Sequence, residues 1–168
     1  MKKILREWLP SLLIAVVVSL FLKAYVAEAM AVPTESMVPT IHVHDRIIVE
    51  KITGSESLKV EDIVVFYPPD PSVEHKRYVK RLIGLPGDTI QIREGTLYRN
   101  GEKITERYTK EPMRYDFGPV TVPRDKYFFL GDNRNESFDS HLWVTPFVEK
   151  DKIIGKVIWQ IPVHKIVK

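Results

Sequence analysis

Apolar positions are arranged along this chain in two ways. From Leu12 to Leu22 they form a run broken by Ser19 alone, and from Trp8 to Ala27 the single charge is Lys23. Twenty helical residues rise about 30 Å, the thickness of a bilayer core, and a lysine stem can carry its charge to the interface. Trp8 and Tyr25 fall near the two ends, where interfacial aromatics collect, and Pro10 is tolerated in a first helical turn. The pattern predicts a transmembrane helix over residues 8–27. Lys2, Lys3 and Arg6 precede it, so the positive-inside bias puts residues 1–7 in the cytoplasm and residues 28–168 outside. A cleaved signal peptide is the alternative, since the basic start, the apolar core and Ala29-Met30-Ala31 fit that description too.

Beyond this segment the apolar residues fall into short β-branched and aromatic runs: 46–51, 62–67, 78–84, 89–93, 96–99, 126–130 and 152–161. Turn residues separate them, which predicts an all-β domain of antiparallel sheets. Asn100-Gly101, between Leu97-Tyr98-Arg99 and Glu102-Lys103-Ile104, is the signature of a type I′ hairpin, because both central residues need positive φ. Pro68-Pro69, Pro86-Gly87-Asp88 and Pro123-Arg124-Asp125 punctuate other runs. Residues 70–76 and 106–117 read as exposed loops.

Composition narrows the function. Removing the apolar segment leaves a length that suits one core, and 28% charged with 44% hydrophobic residues fits a folded domain. The net charge of +3 comes from scattered Lys and Arg, without the basic stripe of a nucleic-acid reader. With no cysteine, disulfides, cysteine nucleophiles and thiolate metal sites are excluded.

Four segments then stand out: Pro33-Thr34-Glu35-Ser36-Met37-Val38-Pro39-Thr40, His44-Asp45-Arg46-Ile47-Ile48-Val49, Tyr78 through Asp88, and Gly131 through Ser140. In order and spacing they resemble the four sequence boxes of type I signal peptidases, and with the apolar segment the resemblance spans nearly the whole chain. Its brevity resembles the minimal Gram-positive form. The resemblance implies a serine endopeptidase of the bacterial cell membrane that removes signal peptides from secretory precursors, with the lipid bilayer as its second partner. Cleavage would follow small residues of the Ala-x-Ala type, and no metal or organic cofactor would be needed.

The same resemblance makes Ser36 the nucleophile and Lys80 the general base. Elementary chemistry agrees, because a serine hydroxyl is a poor nucleophile until a base takes its proton. Strand period sends Lys80 and Arg81 to opposite faces, and a guanidinium does not deprotonate. A lysine base must be desolvated, and Tyr78 and Leu82 share its face. By resemblance, the Thr34 hydroxyl and the Ser36 N–H form the oxyanion hole, Ser137 orients the lysine, and Asp139 is a supporting carboxylate. Asp132 and Arg134 read as scaffold, with Arg81 and Asp132 as an expected pair. His44 stands where the family usually has Gly, which suggests a changed turn. His141 stands where Arg is common, which puts in doubt an ion pair with Asp139 at neutral pH.

Other readings compete. A Ser-His-Asp hydrolase would draw its base from His42, His44, His75, His141 or His164, none of which has a triad context. His42-x-His44-Asp45 suggests a metal site but lacks a third well-placed ligand. A self-cleaving repressor would share Ser-Lys chemistry but needs a DNA-binding N-terminus. An inactive membrane-tethered binding module is opposed by the joint presence of Ser36, Lys80 and Ser137.

Overall fold

A computed structural model of the chain describes residues 2–21, 27–51, 58–73 and 75–165. One helix, α1, spans Lys2–Phe21 and contains Pro10. Eleven strands follow: β1 Ala27–Ala31, β2 Arg46–Glu50, β3 Ile63–Phe66, β4 Tyr78–Gly84, β5 Thr89–Arg93, β6 Thr96–Arg99, β7 Glu102–Lys103, β8 Phe117–Thr121, β9 Lys126–Leu130, β10 Val148–Glu149 and β11 Ile153–Ile161. They form a seven-stranded sheet in the order β1-β2-β11-β3-β4-β9-β10 and a four-stranded sheet in the order β7-β6-β5-β8. Every pairing is antiparallel, as expected.

A transmembrane helix is expected over residues 8–27, and the helix among the described residues, α1, spans Lys2–Phe21. Lys2, Lys3, Arg6 and Glu7 occupy the first turns of α1, residues 22–26 lie outside the described residues, and Ala27 already belongs to β1. No helix among the described residues is long and apolar enough to cross a membrane. The alternative of a cleaved signal peptide meets an obstacle in the same place. Ala29-Met30-Ala31 lies inside β1, where it pairs with Ile48, Ile47 and Arg46 of β2.

The predicted hairpin at Asn100-Gly101 forms as its turn residues require, and a second one closes at Glu94-Gly95. Asn100 and Gly101 have φ of 56° and 81° between β6 and β7, and Glu94 and Gly95 have φ of 49° and 73° between β5 and β6. Alternation then orients the strands: Ile47 and Val49 of β2, and Ile90 and Ile92 of β5, turn inward while their neighbours stay partly exposed.

Strand β4 lies between β3 and β9 and is buried from Lys80 onward. Three apolar clusters surround it. Phe66, Leu82, Phe129 and Trp143 fill the first, and Phe66 and Phe129 stack with centroids 4.3 Å apart. Ile83, Phe128 and Leu130 meet Ile90, Ile92 and Leu97 in the second, which joins the two sheets. In the third, Met37 and Ile41 pack on Ile47, Val49 and Val65, pinning the turn that carries Ser36.

The stretch expected to be an exposed loop over 106–117 is only partly so. Phe117 begins β8, Met113 is buried, and the Glu106 side chain is 6% exposed because it pairs with Arg134. Residues 71–73 form a single 3-10 turn with no buried residue, as suits a surface loop.

Candidate active site

Ser36 sits in a tight turn that follows β1. The chain is tied there by Val32 N–H to Asp45 O at 2.9 Å, His44 N–H to Val32 O at 2.8 Å, and Ile41 N–H to Met37 O at 2.9 Å. Asn133 closes the turn from the opposite side: its backbone N–H reaches Ser36 O at 3.1 Å and its Nδ2 reaches Glu35 O at 3.2 Å. Sequence reasoning did not single out Asn133. Its signal was its place beside Asp132, but an amide that braces backbone carries no mark in the sequence.

Lys80 enters from β4. Its Nζ lies 2.6 Å from Ser36 Oγ, and both residues are buried. The Tyr78 ring is 5.4 Å from Nζ. Burial lowers the Lys80 ammonium to about 8, while the charges of Asp139 and Asp132 pull in the opposite direction. An amine with that proton affinity, in hydrogen-bond contact with a hydroxyl, can take its proton, and the alkoxide so formed can attack a carbonyl. Thr34 Oγ1 is 3.3 Å from Ser36 Oγ, on the exposed side of the turn.

Arg81 leaves β4 on the other face, as the strand period requires. It forks onto Asp132 with Nε–Oδ1 at 2.8 Å and Nη2–Oδ2 at 2.6 Å, and Nη1 donates to Glu61 O at 2.8 Å. Thr40 Oγ1 also donates to Asp132. The Tyr108 ring covers the guanidinium at 3.8 Å, and Arg134 binds Glu106 in the same buried layer.

Ser137 and Asp139 are both buried. The hydrogen bond expected from Ser137 to Lys80 is not formed: Ser137 Oγ has no hydrogen-bond partner among the described residues, and Nζ points to Ser36 instead. Gly131 lies between Ser137 and the Ser36 carbonyl. A Cβ there would come 2.2 Å from Ser137 Oγ and 2.4 Å from Ser36 O, so only glycine fits beneath the turn. Asp139 accepts the Gly131 N–H at 2.8 Å and His141 Nδ1 at 2.7 Å. The second contact is a hydrogen bond for a neutral ring protonated on Nδ1 as well as for a charged one, so the contact does not require the arginine common at this position.

The histidine alternatives lie elsewhere. Asp45 is buried and accepts His42 N–H at 3.0 Å and Gln160 Nε2 at 2.9 Å, which engages its carboxylate inside the turn. His44 is exposed and takes φ of 69°, the left-handed backbone that glycine adopts freely, so the turn itself is kept. His75 is exposed, and His141 faces Asp139. For His164 the side chain lies outside the described residues.

A cleft of about 500 Å³ opens over the Ser36–Lys80 pair, with Val32, Pro33 and Thr34 on one side and Arg77, Tyr78 and Val79 on the other. In β4, Tyr78, Val79 and Lys80 pair with β3, whereas the register with β9 begins only at Arg81. One edge of residues 78–80 is therefore left unpaired by the sheet, and an extended peptide can add there.

A buried amine in contact with a hydroxyl beneath a cleft suits the chemistry of a hydrolase that works through serine. The chain matches the model of the family "Signal peptidase, peptidase S26" over residues 5–161. It is 40% identical over 170 residues to a signal peptidase I of Leptolyngbya laminosa, covering 96% of this chain and 82% of that one. It is 40% identical over 165 residues to a signal peptidase I of Bacillus licheniformis, covering 92% and 87%. Among solved structures, a signal peptidase I from Enterococcus faecalis V583 is similar, with a TM-score of 0.50 and 36% identity, covering 60% of this chain and 96% of that one. The chain belongs to the S26 signal peptidase family and is a serine endopeptidase whose substrates are precursors carrying signal peptides.

Proposed function

We propose that the chain removes signal peptides through a Ser36–Lys80 dyad, with Ser36 as nucleophile and Lys80 as general base. The observation that carries this reading is the 2.6 Å contact between Lys80 Nζ and Ser36 Oγ at the floor of the cleft. Neutral Lys80 takes the hydroxyl proton as Ser36 attacks the scissile carbonyl, gives it to the leaving amine, and then activates the water that hydrolyses the acyl-enzyme. The Thr34 hydroxyl and the Ser36 N–H stabilise the oxyanion. Asp139 acts on the lysine through its charge, Ser137 packs against Gly131 beneath the Ser36 carbonyl, and the Arg81–Asp132 fork holds the strand that delivers the lysine.

The substrate lies extended along residues 78–80, with small side chains at the first and third positions before the cut. Support comes from the unpaired edge of β4 and from the apolar lining that Val32 and Val79 give the cleft.

The apolar N-terminal segment holds the catalytic domain at the outer face of a bacterial cell membrane, with the basic N-terminus on the cytoplasmic side. Leu12, Leu13, Ile14 and Leu20 of α1 are 62–64% exposed, and an apolar surface of that kind needs a cover. The apolar sequence also continues past α1 to Ala27.

The test is to incubate the detergent-solubilised protein with a precursor carrying an Ala-x-Ala site and to sequence the new N-terminus. A cut directly after the second alanine, lost in Ser36→Ala and in Lys80→Ala, is expected. Cleavage by either variant at a near-normal rate removes the dyad.

A further inference from the structure

Asp139 divides its two oxygens between the reaction centre and an imidazole. Oδ2 accepts the N–H of Gly131, the residue pressed against Ser36 O and Ser137 Oγ. Oδ1 accepts His141 Nδ1 at 2.7 Å and the His141 backbone N–H at 3.3 Å. The ring cannot easily swing away: it lies flat on Tyr115, with centroids 3.9 Å apart and planes within 6°, and the side chain is 8% exposed. The charge of Asp139 reaches Lys80 and favours its ammonium form.

We propose that His141 is a positioning residue that decides how much of the Asp139 charge acts on Lys80. This rests on the reading of Lys80 as the base. A neutral imidazole protonated on Nδ1 keeps the hydrogen bond and leaves the carboxylate charge intact, which holds the proton on Lys80. An imidazolium keeps the same hydrogen bond and offsets that charge. A fixed cation in its place offsets it at every pH, and Lys80 then loses its proton more easily.

The other charges around the ring do not vary in this way. Burial, reinforced by Asp139, pushes the Tyr115 phenol far above its usual range, so it stays neutral. Arg134 acts on Tyr115 from beyond the ring and is paired with Glu106. Asp132, the second carboxylate acting on Lys80, is forked by the permanently charged Arg81. Asp139 is left as the carboxylate whose compensation depends on the side chain at position 141.

The test compares His141→Arg and His141→Gln in the full chain, in detergent. It follows kcat/KM against pH and, in protein labelled with ¹³C-lysine, the Lys80 Cε shift, assigned by its loss in Lys80→Arg. In the arginine variant both midpoints should fall by about half a unit to one unit, which raises kcat/KM roughly three- to tenfold well below the wild-type midpoint. The glutamine variant should titrate with the wild type. If circular dichroism shows that the arginine variant does not fold, His141→Lys supplies the cation. A cationic variant that folds but is uniformly slower, with both midpoints unmoved, overturns the proposal and leaves the dyad reading standing. A Lys80 titration that moves while the activity limb stays fixed overturns the dyad reading and this role with it.

Discussion

Arg81 meets Asp132 through a two-pronged ion pair, 2.8 and 2.6 Å long, with the carboxylate fully buried. Arg81 is the neighbour of Lys80 in β4, and Asp132 is the neighbour of Asn133, which braces the Ser36 carbonyl. The pair thus joins the backbone under the amine to the backbone under the hydroxyl.

Asp132→Ala should therefore weaken the fold as well as the site. Removing one partner leaves the Arg81 charge buried without its counterion, a change that costs about 3–5 kcal/mol in comparable settings. Urea unfolding should show a loss of unfolding free energy of that size, read from the midpoint shift times m. A loss below about 1 kcal/mol would mean that Glu61 O, Thr40 and the Tyr108 ring suffice for the guanidinium.

Lys80 is a site where function opposes stability. Its folded proton affinity, near 8, lies below the ~10.4 of an unfolded lysine, so from about pH 8 to ~10.4 the unfolded chain binds a proton that the folded chain has released. Stability must rise with pH across that window, and the full penalty is present below it. Lys80→Met should be inactive yet more stable at pH 7 by roughly 2–3 kcal/mol, with the advantage shrinking from about pH 8 and largely gone by ~10.4. Equal stability of the two proteins at pH 7 and pH 10 would show that Lys80 is not desolvated.

Much of this arrangement was legible in the sequence because it follows from strand period and turn chemistry. Lys80 and Arg81 had to face opposite ways, and Asn100-Gly101 had to turn with positive φ. Glu106 and Tyr108 were not legible. They lie in an aperiodic stretch, and what buries them is Arg134 and Arg81, 28 and 27 positions distant in the chain. Strand β1 was hidden for another reason: Ala27 to Ala31 continues the apolar composition of the segment before it, and its pairing with β2 leaves no alternation strong enough to mark the boundary. Ser137 was expected to hydrogen-bond Lys80, but its hydroxyl packs against Gly131 without a hydrogen-bond partner among the described residues, a contact that no motif records.

His44 offers a test of backbone strain that leaves the chemistry alone. Its φ of 69° puts Cβ against the following carbonyl, at a cost of about 1 kcal/mol, and its side chain is exposed. His44→Gly should raise stability by at most about 0.5 kcal/mol once the greater freedom of glycine in the unfolded chain is counted. His44→Val should lower it by a similar amount. Thermal unfolding of the two variants settles the sign, and a less stable glycine variant would mean that the imidazole makes a contact worth more than the strain.

Thr34 lies 3.3 Å from Ser36 Oγ, close enough to follow the oxyanion as it develops. Thr34→Val keeps the shape and removes the donor. If the hydroxyl stabilises the transition state, kcat should fall by ~10²–10³ with little change in KM. Thr34→Ser should retain most of the rate. A rise in KM with kcat unchanged would make Thr34 a residue that binds substrate and takes no part in the chemistry.

The pH profile discriminates most sharply between a lysine and a histidine base. On the proposed mechanism Lys80 accepts the Ser36 proton only when neutral, so kcat/KM should climb as pH rises through the lysine titration, placed near 8 by burial against the opposing pull of Asp139 and Asp132. A histidine base would put the same limb near ~6.5. Replacing His42, His44 or His141 by Gln should leave the limb near 8, since none of these rings hydrogen-bonds Ser36, whereas Lys80 Nζ does so at 2.6 Å. Lys80→Arg should be as inactive as Lys80→Ala across the whole range, because a guanidinium keeps the charge and much of the length but cannot give up its proton. Two results would return the reaction to a serine–histidine mechanism: a limb near neutrality that disappears when one histidine is replaced, or substantial cleavage by the arginine variant.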